Sequence, residues 1–112
     1  MIAFFITLIP SGAIFLLVGW MLQRFPPKRI NRWSGYRTRR SMKDQAHWDF
    51  AQRFSGRASM QLGAGLLACI CLPLAIPMSP TTATFVAVGL VLLGAVLLIW
   101  RTERAMIKEF GA

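Results

Sequence analysis

Arginine and aromatic side chains alternate within residues 24–40, RFPPKRINRWSGYRTRR. An arginine guanidinium can donate two parallel hydrogen bonds to phosphate oxygens, which a lysine ammonium cannot do. Trp33 and Tyr36 have rings that settle at the headgroup level of a bilayer, and Gly35 between them suits a turn with a positive φ angle. Attraction to anionic lipid headgroups, worth about 1 kcal/mol per basic residue, accounts for the charge of this stretch. It does not account for the aromatic–Gly–aromatic–Arg–Thr spacing.

Residues of the kind that carry catalysis are sparse. His47 is the only histidine, and only its spacing to Asp44 and Asp49 suggests an acid–base couple. Cys69 and Cys71 have no nearby histidine or carboxylate and are interpreted as packing residues. The chain has no Gly-rich phosphate loop and no metal-ligand spacing. We therefore predict a non-enzymatic protein with no cofactor and no metal.

Charge is confined to two parts of the 112-residue chain. Residues 1–23 and 58–100 contain no charged side chain, so all thirteen Lys/Arg and all four Asp/Glu lie in 24–57 and 101–112. A bilayer excludes charge from whole blocks of sequence, and we therefore predict an all-α membrane protein. A cleaved signal peptide is disfavoured because no positive charge precedes the first apolar block. Nucleic-acid binding is disfavoured because anionic lipid competes for the tethered basic loop.

Three transmembrane helices within a single domain fit this distribution. The predicted spans are residues 2–22, 58–76 and 82–100. The first is about 31 Å long at ~1.5 Å per residue, which is enough to cross the hydrocarbon core. Pro26 and Pro27 end it, and the proline-containing turn 77–81 makes the last two helices an antiparallel hairpin. Small residues four apart, such as Ser59 and Gly63, predict close helix contacts within the chain or between copies.

The basic loop, residues 23–57, is predicted to contain a short amphipathic helix over 41–55 that lies at the membrane interface. Ser41 suits its N-cap, and Asp44 three residues later completes a capping-box pattern. Gly56 then breaks or bends the chain before the second span. One apolar stripe recurs at every fourth residue, with Ala51 and Trp48 beside it: Met42, Ala46, Phe50 and Phe54.

The charges of the loop and the tail predict the orientation. The loop carries ten Lys/Arg against Asp44 and Asp49, and Asp49 and Arg53 are spaced for an ion pair worth ~0.3–0.5 kcal/mol. The tail 101–112 carries three Lys/Arg against two Glu. The positive-inside rule places both segments in the cytoplasm. The N-terminus and the turn 77–81 are then outside.

The loop resembles that of the SdpI family of bacterial membrane proteins. That family combines a G-x-R-T segment, a downstream Trp, and a basic residue and a Gly just before a transmembrane helix. Here these positions are Gly35, Arg37, Thr38, Trp48, Arg53 and Gly56, with Asn31, Trp33, Tyr36, Ser41 and Asp49 beside them. The resemblance covers residues 24–100, with Arg39 where many relatives have proline. The name-giving member is longer, and this chain is similar to its C-terminal portion.

What the resemblance implies is immunity. The name-giving member protects its producer from a secreted toxic peptide, and it also holds a transcriptional repressor at the membrane. We therefore expect a protein of the bacterial cytoplasmic membrane that gives resistance to a membrane-active peptide, either by binding the peptide or by protecting the lipid that it attacks.

Two other functions are compatible with the same residues. One is a small, oligomeric transport or lipid-binding unit, in which Arg37, Arg40 and Arg53 hold a headgroup. The other is an adaptor, in which the loop and the apolar tail residues Met106 and Phe110 dock a cytoplasmic protein.

Overall fold

The computed structural model describes residues 1–111 and contains only helices as regular elements in that range. In chain order they are α1 (Ile2–Arg24), α2 (Gln45–Ala68), a 3₁₀ turn (Cys69–Cys71), α3 (Leu72–Ala75) and α4 (Pro80–Phe110). The short α3 continues the direction of the chain after α2. Three helical stretches are therefore long and apolar enough to cross a membrane: Ile2–Arg24, Gln45–Ala75 and Pro80–Phe110. The predicted all-α fold with three spans is confirmed.

The amphipathic segment predicted over 41–55 begins later than expected and is not a separate helix. Asp44, and not Ser41, is the N-cap, because its carboxylate accepts a hydrogen bond of 2.8 Å from the His47 backbone N–H. The Ser41 hydroxyl is instead engaged by the turn that precedes it. α2 runs through Gly56 without interruption. The amphipathic segment is thus the first part of the second membrane helix.

α2 and α4 both extend past their charge-free stretches. Residues 45–57 of α2 and 101–110 of α4 pack together, and the Phe110 ring stacks on the His47 ring with centroids 4.2 Å apart. The tail that follows the third span is therefore helical to Phe110. These two extensions and the loop between α1 and α2 form the charged end of the molecule (residues 24–57 and 101–111).

The buried face of α2 in the charged end consists of small, polar and indole side chains, and of the predicted apolar stripe only Ala51 belongs to it, with Trp48 beside it. Its buried residues there are His47, Trp48, Ala51, Gln52, Ser55 and Gly56. Phe50 and Phe54 are only half-buried, with their rings stacked 5.8 Å apart. The prediction is wrong for Ala46, Phe50 and Phe54, because small residues permit close helix packing and the buried polar residues bond to backbone groups of the loop.

Glycines bring α1 and α2 into backbone contact. A Cβ added to Gly19 would lie 2.5 Å from the Gly56 carbonyl oxygen, and one added to Gly63 would lie 2.7 Å from the Gly12 carbonyl oxygen. Gly56 therefore packs against α1 instead of bending the chain as predicted. Ser59 makes a contact of the same kind, since its hydroxyl donates to the Phe15 carbonyl oxygen at 2.7 Å.

The opposite end of the bundle is held by an apolar core made of Phe4, Leu8, Leu66, Ala83 and Ala87. α4 begins at Pro80, two residues before the predicted Thr82. Its N-cap is Ser79, whose hydroxyl accepts a hydrogen bond of 3.2 Å from the Thr82 backbone N–H. Pro80 costs no hydrogen bond at this first helical position, since its backbone nitrogen would have no partner there.

The close contact of α1 with α2 predicts that Gly19→Leu destabilises the bundle. Overpacking of a tight interface costs about 1–3 kcal/mol, and here the obstacle is the backbone oxygen of Gly56, which cannot move aside as a side chain can. The thermal unfolding midpoint of the protein in detergent should fall. The control is Gly89→Leu, at a position where an added Cβ meets nothing within 4 Å. Equal midpoints for the two variants would contradict the assigned contact.

Candidate functional site

One buried side chain of α2, Gln52, fixes the middle of the loop. Its Oε1 accepts a hydrogen bond from the Tyr36 backbone N–H at 2.7 Å, and its Nε2 donates to the Tyr36 carbonyl oxygen at 2.8 Å. A side-chain amide thus pairs with both backbone groups of one residue. Gly35 has a φ angle of 88°, and a Cβ there would lie 2.5 Å from Gln52 Oε1. The predicted positive φ angle is confirmed, and a larger residue would be strained at this angle and would displace the Gln52 side chain.

Two further residues on the same face of α2 hold the start of the loop. The indole of Trp48 is fully buried, and its Nε1 donates to the Pro27 carbonyl oxygen at 2.7 Å. The Gln45 amide donates to the Lys28 carbonyl oxygen at 2.6 Å. Residues 45, 48 and 52 share a helix face by their spacing, so one face of α2 carries the whole attachment.

Local hydrogen bonds shape the two turns of the loop. The Asn31 side-chain oxygen accepts from the backbone N–H groups of Trp33 and Ser34, both at 2.8 Å, which is the pattern of an Asx turn. Thr38 and Ser41 bond reciprocally. The Thr38 N–H donates to the Ser41 hydroxyl at 2.8 Å, and the Ser41 N–H donates to the Thr38 hydroxyl at 3.1 Å. Both turns are therefore held by side chains of the predicted motif.

Glu103 of α4 joins the loop to the third span. Its Oε1 accepts from the Tyr36 hydroxyl at 2.9 Å, and its Oε2 accepts from Arg40 Nε at 2.9 Å. Burial, with further contributions from the hydrogen bond and the negative charge of Glu103, raises the pKa of Tyr36 well above its ordinary value. The loop is therefore fixed to α2 by Gln52 and to α4 by Glu103.

The motif residues divide into those that hold the loop and those that face outward. Trp33 is 89% exposed, and Arg37, Asp49 and Arg53 are also exposed. Asp49 accepts a hydrogen bond from the Gln45 amide at 2.8 Å. The predicted Asp49–Arg53 ion pair does not occur within residues 1–111. The residues that hold the loop are Asn31, Gly35, Tyr36, Thr38, Arg40, Ser41 and Trp48, while Gly56 packs on α1.

The predicted headgroup arginines do not share one cleft. Arg40 lines a cleft against α4, Arg53 lines a different cleft between the start of the loop and α2, and Arg37 lines neither. A third, mainly apolar cleft of about 460 Å³ lies between α1 and α4 under Gly35 and Tyr36. Each of these clefts borders the loop, so the loop is the meeting point of the surfaces on which a ligand could bind.

Sequence reasoning missed the two residues that anchor the loop. Gln52 lies four residues after Trp48, and this spacing places both on one helix face. Glu103 lies just beyond the last apolar span, on the same side of the membrane as the basic loop. Both signals were visible in the sequence. Neither indicates by itself which loop residue is the partner.

Fold and site define a multi-pass helical membrane protein whose first loop is fixed to its second and third spans. The chain belongs to the SdpI/YfhL protein family, whose sequence profile matches residues 28–100. The resemblance read from the loop motif is thereby confirmed. The YfhL protein of Bacillus subtilis (strain 168), itself uncharacterized, is 46% identical over 57 residues, a match that covers 51% of this chain and 50% of YfhL. No solved structure shows significant similarity to the chain.

The attachment by Gln52 predicts that Gln52→Leu releases the loop. The substitution leaves the N–H and carbonyl groups of Tyr36 without partners, at a cost of about 1–3 kcal/mol. Local opening should then increase roughly tenfold or more. Trypsin should cleave after Arg37 or Arg39 correspondingly faster in the detergent-solubilised protein. Gln61→Leu is the matched control, because the Gln61 amide is exposed and accepts from Arg101 of α4 but makes no hydrogen bond to the loop. Equal cleavage rates would refute the anchoring role.

The Tyr36–Glu103 contact predicts a titration that can be read directly, because Tyr36 is the only tyrosine. Its phenolate absorbance should appear well above the ordinary pKa of about 10. Glu103→Gln should lower the pKa of Tyr36 only part of the way to its ordinary value, since burial remains the largest cause of the shift.

The same contact predicts how stability depends on pH. The unfolded chain releases the Tyr36 proton first, so the free energy of unfolding should fall as the pH rises above about 10. In Glu103→Gln the total loss of stability should be smaller, because the pKa of Tyr36 in the folded protein lies closer to its value in the unfolded chain. Identical titrations and identical pH profiles of the two proteins would exclude the contact.

Proposed function

We propose that this chain is a non-enzymatic resistance protein of the bacterial cytoplasmic membrane, and that it protects the cell from a membrane-active peptide through the outer surface of the loop. The observation that carries the proposal is the fixed loop, which leaves Trp33 and Arg37 exposed while its backbone is held by Gln52. The excess of Lys/Arg in the charged end favours a cytoplasmic location for that end.

Preorganisation makes the exposed pair suitable for binding. A loop that is ordered before binding loses less conformational entropy when a partner arrives. Tryptophan and arginine are also the side chains that most often dominate binding energy in protein interfaces. Trp33 and Arg37 directly flank the segment 34–36, in which Gln52 holds the backbone of Tyr36. The loop therefore presents an exposed aromatic ring and an exposed cation from a backbone that is held in place.

The apolar cleft beneath the loop adds a second contact for a peptide that enters from the bilayer. It is lined by Val18, Met21 and Leu22 of α1, by Leu98 of α4, and by Gly35 and Tyr36 of the loop. A membrane-active peptide carries apolar side chains at the same depth. The combination of an apolar cleft with an adjacent Trp–Arg surface matches an amphipathic peptide.

A structural role for the only histidine supports the non-enzymatic part of the proposal. His47 Nδ1 lies 2.7 Å from Asp44 Oδ1, and the ring is buried against Phe110. The pKa of the Asp44 carboxyl is lowered, chiefly by the hydrogen bond from the His47 backbone N–H. The pair caps α2 and packs the end of α4. His47 therefore has a structural role at the junction of α2 and α4, which its capping contact and its ring stacking explain.

Expression in a bacterium that is sensitive to a panel of membrane-active peptides tests the proposal. The wild-type chain should raise the inhibitory concentration of at least one peptide. Trp33→Ala and Arg37→Ala should each reduce that protection by about tenfold or more, as expected for residues that dominate an interface. Lys108→Ala, which removes one exposed charge far from the loop along the chain, should keep it.

The outcome must be read together with membrane protein levels. Equal amounts of all variants in the membrane make loss of protection a loss of binding. No protection by the wild-type chain against any peptide of the panel would exclude these peptides as its targets. If both Trp33→Ala and Arg37→Ala still protect the cell, the outer surface of the loop is not the site at which the peptide binds.

A further inference from the structure

A cleft between the loop and α4 has an excess of positive charge. It has a volume of about 660 Å³ and is lined by Thr38, Arg39, Arg40, Lys43, Ile99 and Glu103. Three cations thus face one carboxylate. We propose that this cleft binds the phosphate group of one anionic phospholipid from the adjacent leaflet, a site that is independent of the peptide surface at Trp33.

The only carboxylate that lines the cleft, that of Glu103, already has hydrogen-bond donors on both oxygens. Both oxygens of Glu103 accept hydrogen bonds, one from Tyr36 and one from Arg40 Nε. Arg39 and Lys43 have no acidic partner within residues 1–111, and the terminal nitrogens of Arg40 make no hydrogen bond there. The cleft therefore holds donors suited to an anion.

The basic side chains project from a turn that is held in place. The Met42 N–H donates to the Thr38 carbonyl oxygen at 3.0 Å, and the Lys43 N–H donates to the Arg40 carbonyl oxygen at 3.3 Å. Ser41 is fully buried beneath them. Because the backbone is fixed by these bonds, an anion that binds here orders only the side chains, which lowers the entropy cost of binding.

The depth of the cleft favours a lipid over a soluble anion. Ile99 lines it, is 51% exposed, and lies two residues before Arg101, the first charge after the third span. The cleft therefore lies where hydrocarbon gives way to headgroups. Leu92 and Val96 precede Ile99 on the same exposed face of α4, by their spacing of four and three residues. Acyl chains can follow this apolar face while the phosphate reaches the cations.

Binding of single lipids to the purified full-length chain tests the proposal. The protein in detergent is titrated with phosphatidylglycerol or with phosphatidylcholine, and bound lipids are counted by native mass spectrometry. The wild-type chain should retain one phosphatidylglycerol in preference to phosphatidylcholine. The double variant Arg39→Gln/Lys43→Gln should lose that lipid, with apparent affinity lowered roughly tenfold or more.

A control of equal charge separates this site from general attraction. Arg24→Gln/Arg57→Gln removes two exposed cations, one at the end of α1 and one next to the charge-free stretch of α2. It should change the affinity by less than about threefold. Equal losses in both double variants would overturn the site, as would equal retention of the two lipids. Thermal unfolding midpoints close to that of the wild type confirm that both doubles are folded.

Inorganic phosphate distinguishes the two sources of the phosphate group. A lipid site should keep its phosphatidylglycerol in an excess of free phosphate, because the acyl chains add contacts along Ile99. Displacement of the lipid by phosphate alone would show a site for a soluble anion and would overturn the proposal. Ile99→Asn should weaken retention of phosphatidylglycerol, since it removes apolar surface next to the headgroup.

Discussion

The arrangement of the charged end depends on the two hydrogen bonds between the Gln52 amide and the backbone of Tyr36. An irregular loop next to a bilayer has backbone N–H and carbonyl groups that need partners, and the hydrocarbon offers none. Gln52 supplies both partners at one residue from a buried position on α2. Since Tyr36 is placed in this way, its hydroxyl can reach Glu103 on α4. The loop then binds the second span to the third.

This constraint explains why α2 and α4 continue past the apolar spans. Gln52 and Glu103 both lie beyond the charge-free stretches, so the loop can be anchored only if both helices extend out of the bilayer. The extensions support each other through the stacked rings of His47 and Phe110. The outcome is a small folded platform at the membrane surface. Its exposed Trp33 and its Arg39–Lys43 cleft lie on parts of the loop whose backbone is fixed.

The sequence predicts the spans well because a bilayer excludes charge over whole segments, and such a signal is long. The start of α2 depends on a shorter signal. Ser41 and Asp44 are both good N-caps, and the choice depends on Thr38, which engages Ser41 in the preceding turn. Periodicity also favoured Phe50 and Phe54, which are only half-buried, although Ala51 beside them is buried. Gln52 is more deeply buried than Phe50, because its hydrogen-bond partners belong to the loop. The periodicity of α2 carries no information about these partners.

Most residues of the family motif hold the loop in position, and few of them are exposed enough to contact a ligand. Trp48 is fully buried and holds Pro27, so its loss acts on every surface of the loop at once and identifies none of them. Trp33 makes no such anchoring contact through its ring and is almost fully exposed. A loss of function on substitution of Trp48 therefore reports a loop that is no longer held in place. A loss on substitution of Trp33 or Arg37 reports a lost contact with the ligand. Both kinds of residue belong to the same sequence motif, but only the exposed ones can contact a ligand directly.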